Sequence, residues 1–230
     1  AGVMDKNGPC ITCHVNAAGR PVRPGYGHSL HIDGEAFTQV CSNCHHSENT
    51  ITLTAENFHS VFLEPQKEAY ENALKLLEFE IARYGVSFNE SAYPYFYDEN
   101  LPLINGAKQP VTDWTRGGAV DGRKFLGACY NFNLLKREPA AFAHARSYSR
   151  RLIYDSIDYL DDLTNNLSVS TTAVNSGLTA NGVPLFGKDT RAFNYENGAR
   201  TTIYGNTTEA MLYLVSWNFY TGEWNAIERP

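Results

Sequence analysis

Two copies of one short pattern, Cys10-Ile-Thr-Cys13-His14 and Cys41-Ser-Asn-Cys44-His45, lie near the start of a chain of 230 residues. In each copy two thiols stand three positions apart and an imidazole follows at once. The segment that holds them must organise itself around whatever these groups bind. The spacing is that of c-type heme attachment: two such thiols add to the two vinyl groups of one porphyrin, and the adjacent imidazole lies under the iron as its proximal ligand. Three other uses of the thiols compete. A structural zinc site is one, although the 27 residues between the pairs exceed the usual zinc-ribbon gap of about 15–20. A thioredoxin-like redox pair calls for a βαβ context, which a Gly- and Pro-rich neighbourhood does not offer. Disulfides give no reason for either histidine. Histidine accounts for only 7 of the 230 residues, so its recurrence directly after both pairs favours two covalently attached heme c groups. Cys10, Cys13, Cys41 and Cys44 are then the tethers, and His14 and His45 the proximal ligands. The fifth cysteine, Cys129, stands between Ala128 and Tyr130 and reads as a small buried hydrophobe.

The sixth position on each iron separates electron transfer from substrate chemistry. Methionine occurs only as Met4 and Met211, whereas His28, His31, His46, His59 and His144 remain after the proximal pair. Four of these five fall within residues 28–59. Bis-histidine ligation at both irons is therefore expected, with Met4 as an alternative. Such iron is of low potential and six-coordinate, suited to passing electrons. His59 reads as a residue at an element boundary and His144 as a helix-packing residue. His46 is read either as a ligand or as solvated.

The stretch His28-Ser29-Leu30-His31, nine residues, then Cys41-Ser42-Asn43-Cys44-His45-His46 resembles the His-x-x-His…Cys-x-x-Cys-His-His block of class III multiheme cytochromes c. The resemblance implies that His28 pairs with His45 and that His31 or His46 completes the heme of His14. The segments Gly127–Leu135, Ala141–His144, Arg151–Asp158 and Glu228–Pro230 resemble the C-terminal region of outer-surface multiheme cytochromes of metal-reducing bacteria. That resemblance implies an exported protein, periplasmic or extracellular, whose partners are other cytochromes or an extracellular electron acceptor. With only two attachment motifs, the chain is expected to be a minimal member or the terminal piece of a longer cytochrome.

Nineteen Lys and Arg stand against 25 Asp and Glu, a net charge of −6, with no long block of one sign. Nothing in this balance points to nucleic acid or an anionic membrane. No apolar run approaches the roughly 18–20 residues that span a bilayer, and no charged-then-apolar leader opens the sequence, as expected of a mature chain.

The expected fold class is mainly α with extensive irregular structure. Residues 1–60 are read as a dihaem-binding (diheme) module: Gly8-Pro9, Gly19-Arg20-Pro21, Arg23-Pro24-Gly25 and Asp33-Gly34 break regular elements every few residues, so the porphyrin supplies the core and the chain wraps it. Residues 61–230 are read as a helical and loop-rich region. A helix is predicted from Pro65 to just before Gly85, because Tyr70, Ala73, Leu74, Leu77, Ile81 and Tyr84 recur at helical spacing. A long irregular connection over Trp114 follows. A second helix is expected from about Pro139 to Leu163, with Tyr148, Leu152, Tyr159 and Leu163 inside and Arg146, Arg150 and Asp158 outside. Residues 167–207 read as loop with short strands, and 209–217 as either helix or buried strand.

The chain is accordingly expected to act as an electron carrier and not an enzyme. The spare histidines allow a self-assembly version in which one of them ligates a heme of the next copy and chains the copies into a filament. A diheme peroxidase or reductase with one open iron, and a four-cysteine zinc module, are the alternatives; no catalytic constellation accompanies the motifs.

Overall fold

The computed structural model describes His14, Ile32 and residues 34–48, 51–188, 207–218, 220–225 and 229–230. Cys10, Cys13, His28, His31 and Met4 lie outside the described residues. The chain divides into two compact units, and among the described residues the division falls between Pro65 and Gln66.

The first unit holds helix α1 (Gly34–Gln39), a 3-10 turn at Cys41–Asn43, a two-residue antiparallel ladder of β1 (Ser47–Glu48) with β2 (Ile51–Thr52), and a π-helical turn at His59–Leu63. Among its described residues Phe37, Leu53 and Phe58 form a buried cluster, with Ile32, Cys41, Ala55, Val61, Phe62 and Leu63 packed against them. Gly34 opens α1 where a side chain has no room, since a Cβ there would stand 2.9 Å from the Ala55 carbonyl oxygen.

The second unit is built on three helices. Helix α2 (Glu64–Ala82) matches the expected element. Glu64 and Pro65 suit a first helical turn, the one by its charge and the other by its fixed φ. Ala69, Tyr70, Ala73, Leu74, Leu76, Leu77 and Ile81 are buried along it. It ends before Gly85, whose φ of +72° lies in the left-handed region and whose missing Cβ makes room for the Asn100 side chain. Strands β3 (Val86–Phe88), β4 (Phe96–Asp98) and β5 (Gln109–Pro110) then form an antiparallel sheet in the order β3-β4-β5, pairing Ser87 with Tyr97 and Tyr97 with Pro110. Pro110, which has no amide donor, sits on an edge strand as expected. The region read as an irregular connection thus supplies a sheet, and Trp114 packs into the core against Phe96 and Phe125 with ring centroids 6.2 and 6.1 Å away.

Helix α3 (Gly122–Lys136) is absent from the sequence reading. Asp121 caps it by accepting from the Arg123 amide, and Phe125, Ala128, Cys129, Phe132 and Leu135 bury one face. Its partner α4 (Arg146–Leu160) is shorter than the helix expected from Pro139, because Ala145 adopts a left-handed conformation (φ +50°) ahead of it. The inner face of α4 also differs from expectation. Ile153, Tyr154, Ile157 and Leu160 are fully buried, whereas Tyr148 is 63% exposed and Asp158 only 1% exposed. Asp158 is accommodated because its carboxylate accepts from the Ser168 amide at 2.8 Å; burial nonetheless pushes its pKa up. Each buried aliphatic or aromatic side chain here contributes roughly 1.5–3 kcal/mol. Within the stretch read as loop with short strands, Val169–Asn175 forms helix α5 and the short strands β6 (Thr179–Ala180) and β7 (Val183–Pro184) pair antiparallel; the ambiguous 209–217 segment splits into α6 (Glu209–Leu214) and strand β8 (Ser216–Asn218), which pairs with β9 (Glu223–Asn225). No helix among the described residues is long and apolar enough to cross a membrane.

One buried ion pair ties the sheet to the loop before α3. Arg116 reaches both carboxylate oxygens of Asp98, at 2.5 and 2.8 Å, and gives its Nε–H to the Tyr84 carbonyl at 3.0 Å. Arg116 holds the Asp98 carboxyl below its ordinary range. A carboxylate with a depressed pKa stabilises the fold above its unfolded pKa of about 4, and that stabilisation is lost as the pH falls through the folded value. We predict that Arg116→Met, which strands a buried carboxylate, destabilises this unit by about 3–5 kcal/mol at neutral pH. The loss, read as a drop in the chaotrope midpoint, shrinks as Asp98 becomes protonated in acid; a midpoint unchanged from wild type at neutral pH would contradict it.

Candidate functional site

Cys41, Cys44 and His45 share one turn of backbone. The Cys41 carbonyl accepts from the amides of Cys44 at 3.1 Å and His45 at 2.8 Å. In 3-10 geometry residues three apart eclipse one another, so the Cys-x-x-Cys spacing brings both thiols to one side of the turn. The turn grows out of α1: Val40 donates to the Ala36 carbonyl at 3.0 Å and Asn43 to the Val40 carbonyl. Side chains reinforce it, with the Ser42 hydroxyl bonded to the Thr38 carbonyl and the Asn43 amide to the Val40 carbonyl.

Cys41 is half-buried, whereas Cys44, His45 and His46 are exposed. Beyond them the chain returns along the β1–β2 ladder, and the Leu53 amide donates to the His46 carbonyl at 2.9 Å. A reciprocal bond then closes the next turn: the Thr54 amide donates to the Asn57 side chain and the Asn57 amide to the Thr54 hydroxyl. This return delivers the π-helical turn against the motif. The Phe62 ring lies 4.8 Å from the His45 imidazole, Phe58 stacks on Phe62 at 5.4 Å, and Phe37 of α1 lies 4.6 Å from Phe58. A ladder of rings therefore runs from the helix that launches the motif to the imidazole that ends it.

These residues fit the group that the motif implies. An outward imidazole and an accessible thiol beside it, on a rigid turn over an aromatic floor, are what a porphyrin tethered on one edge and ligated through its iron would use. Among the described residues no group of three or more His, Cys, Asp or Glu side chains is arranged to hold a metal ion by itself. Of the other expected site residues, His14 is half-buried, while Cys10, Cys13, His28 and His31 lie outside the described residues. His59 begins the π-helical turn. His144 lies in the turns before α4 and not within the helix, its Nδ1 3.7 Å from Glu138. Cys129 is fully buried on α3. The sequence reading did not single out Phe37, Phe58 or Phe62; the i, i+4 spacing of the last two was the available signal.

The chain is similar to curated polyheme cytochromes. It is 35% identical over 186 residues to C-type polyheme cytochrome OmcC of Geobacter sulfurreducens, covering 76% of this chain and 22% of that protein. It is 33% identical over 186 residues to C-type polyheme cytochrome OmcB of the same species, covering 76% of this chain and 23% of that protein. The chain thus spans about a fifth of the length of these relatives. The resemblance to multiheme c-type cytochromes holds over most of the chain. No protein-family profile matches it, and no solved structure does.

The contact at Gly34 generates a test of how the motif is supported. Gly34→Ala places a methyl 2.9 Å from the Ala55 carbonyl oxygen and 3.0 Å from its Cβ, so α1 must shift off the Thr54–Asn57 turn. Overpacking of this kind costs about 1–3 kcal/mol. Limited proteolysis is expected to cut within residues 34–60 faster than in wild type while the second unit keeps its resistance; equal cleavage rates in that segment would refute the packing argument.

Proposed function

We propose that this chain carries two covalently attached heme c groups and relays electrons outside the cytoplasm, between other cytochromes or to an extracellular acceptor. The observation that carries the reading is the Cys41–His45 turn, in which a single carbonyl accepts from the amides that place a thiol and an imidazole beside Cys41, in a chain alike in sequence to polyheme cytochromes. In this reading Cys10 and Cys13, then Cys41 and Cys44, would hold the two porphyrins, and His14 and His45, with the remaining histidines, His28, His31 and His46 among them, would ligate the irons.

The bound group supplies a one-electron couple, and the protein's part is placement and tuning. His45 is oriented by the Phe62 ring and by the hydrogen bond that its amide donates to the Cys41 carbonyl. Phe37, Leu53 and Phe58 form the dry floor of the segment, and a drier environment raises the cost of adding charge. Two attachment motifs 31 residues apart keep their groups close along the chain, which suits transfer from one to the next. Docking to other cytochromes and assembly of copies into a filament are extensions of the same reading, the second through a histidine left over after both irons are filled.

Production in a host that matures c-type cytochromes tests it. The purified chain is expected to gain the mass of two hemes, and Cys41→Ser with Cys44→Ser to gain only one. Both irons should be low-spin by EPR and bind no added cyanide. A colourless chain of unaltered mass containing zinc would replace this reading with the zinc module, and a high-spin, cyanide-binding fraction in wild type would replace it with the peroxidase-like one.

A further inference from the structure

His59 and Glu64 are brought together by the π-helical turn at His59–Leu63. In that turn the Glu64 amide donates to the His59 carbonyl, a bond between residues five apart. A π-turn aligns such residues along the helix, whereas an ordinary α-turn would set them well apart around it. The result is that Glu64 Oε1 stands 3.3 Å from His59 Nδ1, with both side chains more than half exposed. The carboxylate faces Nδ1, so Nε2 is the nitrogen left for another partner. Histidines that ligate a metal commonly engage a carboxylate through their other ring nitrogen, which fixes the tautomer and raises the basicity of the ligating one. The same π-turn carries Phe62, whose ring touches the His45 imidazole, so His59 lies on the element that packs against the attachment motif. Single π-turns inside helices are frequent at functional sites because they re-aim side chains at a cost in regular hydrogen bonding.

We propose that His59 is an axial ligand to iron, through Nε2, with Glu64 as its positioning partner. This rests on the heme reading above and adds a ligand to the set expected from sequence, where His59 was read as a boundary residue. The sequence reading had only the type and position of His59 to work with. The carboxylate partner depends on the π-turn, which no local sequence pattern announces.

The test uses the full chain matured with heme. Mass first separates the two readings: a chain that takes up no heme ends the proposed function and this assignment with it. In protein carrying two hemes, His59→Leu is expected to turn one of the two irons high-spin and make it bind carbon monoxide when reduced. His59→Met is expected to restore six-coordinate iron at a raised potential, as methionine does against histidine. Glu64→Gln keeps both irons low-spin but raises one of the two potentials, because a less basic imidazole favours the ferric state less. His144→Leu, which removes an exposed histidine that also has a carboxylate nearby, leaves the spectra unchanged. If both irons of His59→Leu stay low-spin with unaltered potentials, or if His144→Leu produces the high-spin iron instead, His59 is not a ligand and the heme reading stands without it.

Discussion

The carbonyl oxygen of Cys41 is the pivot of the first unit. It accepts from the Cys44 and His45 amides together, and this single acceptor converts a linear motif into a rigid display of two thiols and an imidazole. Among the described residues, neighbours support it from two sides. Helix α1 runs directly into it, Gly34 lets α1 lie against Ala55, and the ring ladder from Phe37 through Phe58 and Phe62 meets His45 from the other side. The chain thus approaches the motif twice, once through the backbone and once through side chains more than a dozen residues further on. A ligand whose ring is supported in this way loses less freedom when it binds iron, which is the physical content of preorganisation.

What could be read from the sequence follows from the range of the interactions concerned. The attachment motif was legible because its chemistry is written in five consecutive residues. Helix α2 was legible because its apolar positions repeat over several turns between a proline and a glycine. Helix α3 carries an equally regular buried set, Phe125, Ala128, Cys129, Phe132 and Leu135, with a capping Asp121. Its outer face, however, is also apolar in places: Leu126, Tyr130 and Leu134 are exposed, and the second stripe blurs the period. Leu152 and Tyr159 on α4 and Leu163 just beyond it pack inward as their spacing predicts, and Asp158 departs for the opposite reason. Asp158 looks like a surface residue until the Ser168 amide, ten positions on, is seen to satisfy it. Contacts such as Phe62 on His45 are longer in range still, and no local pattern announces them.

The second unit shows how polar groups inside a core define its connections. Tyr70 gives its hydroxyl to the Leu135 carbonyl at 2.5 Å, at the end of α3, and Tyr84 gives its hydroxyl to the Leu160 carbonyl at 2.6 Å, at the end of α4. Each bond takes up a carbonyl that a helix terminus leaves without an intrahelical partner. Arg116 does the same for the Tyr84 carbonyl while it neutralises Asp98. Helix ends and loops are therefore fastened by side chains from α2 and its neighbours, and apolar burial alone would leave their positions far less specified.

The distribution of thiols follows from the same economy of burial. Cys129 is enclosed by the core, and that burial pushes its thiol pKa up, which suppresses the thiolate and with it reactivity. Cys44 is exposed and Cys41 half-buried at the edge of an aromatic floor. In the heme reading this division favours thioethers at Cys41 and Cys44 over Cys129: the buried thiol is kept inert by the fold of its own unit, and Cys41 and Cys44 are offered on one turn. Among the described residues of the first unit, the buried cluster is Phe37, Leu53 and Phe58. In the heme reading a large apolar group fastened to Cys41 and Cys44 would extend that cluster, and the stability of the segment would be coupled to what is attached to it.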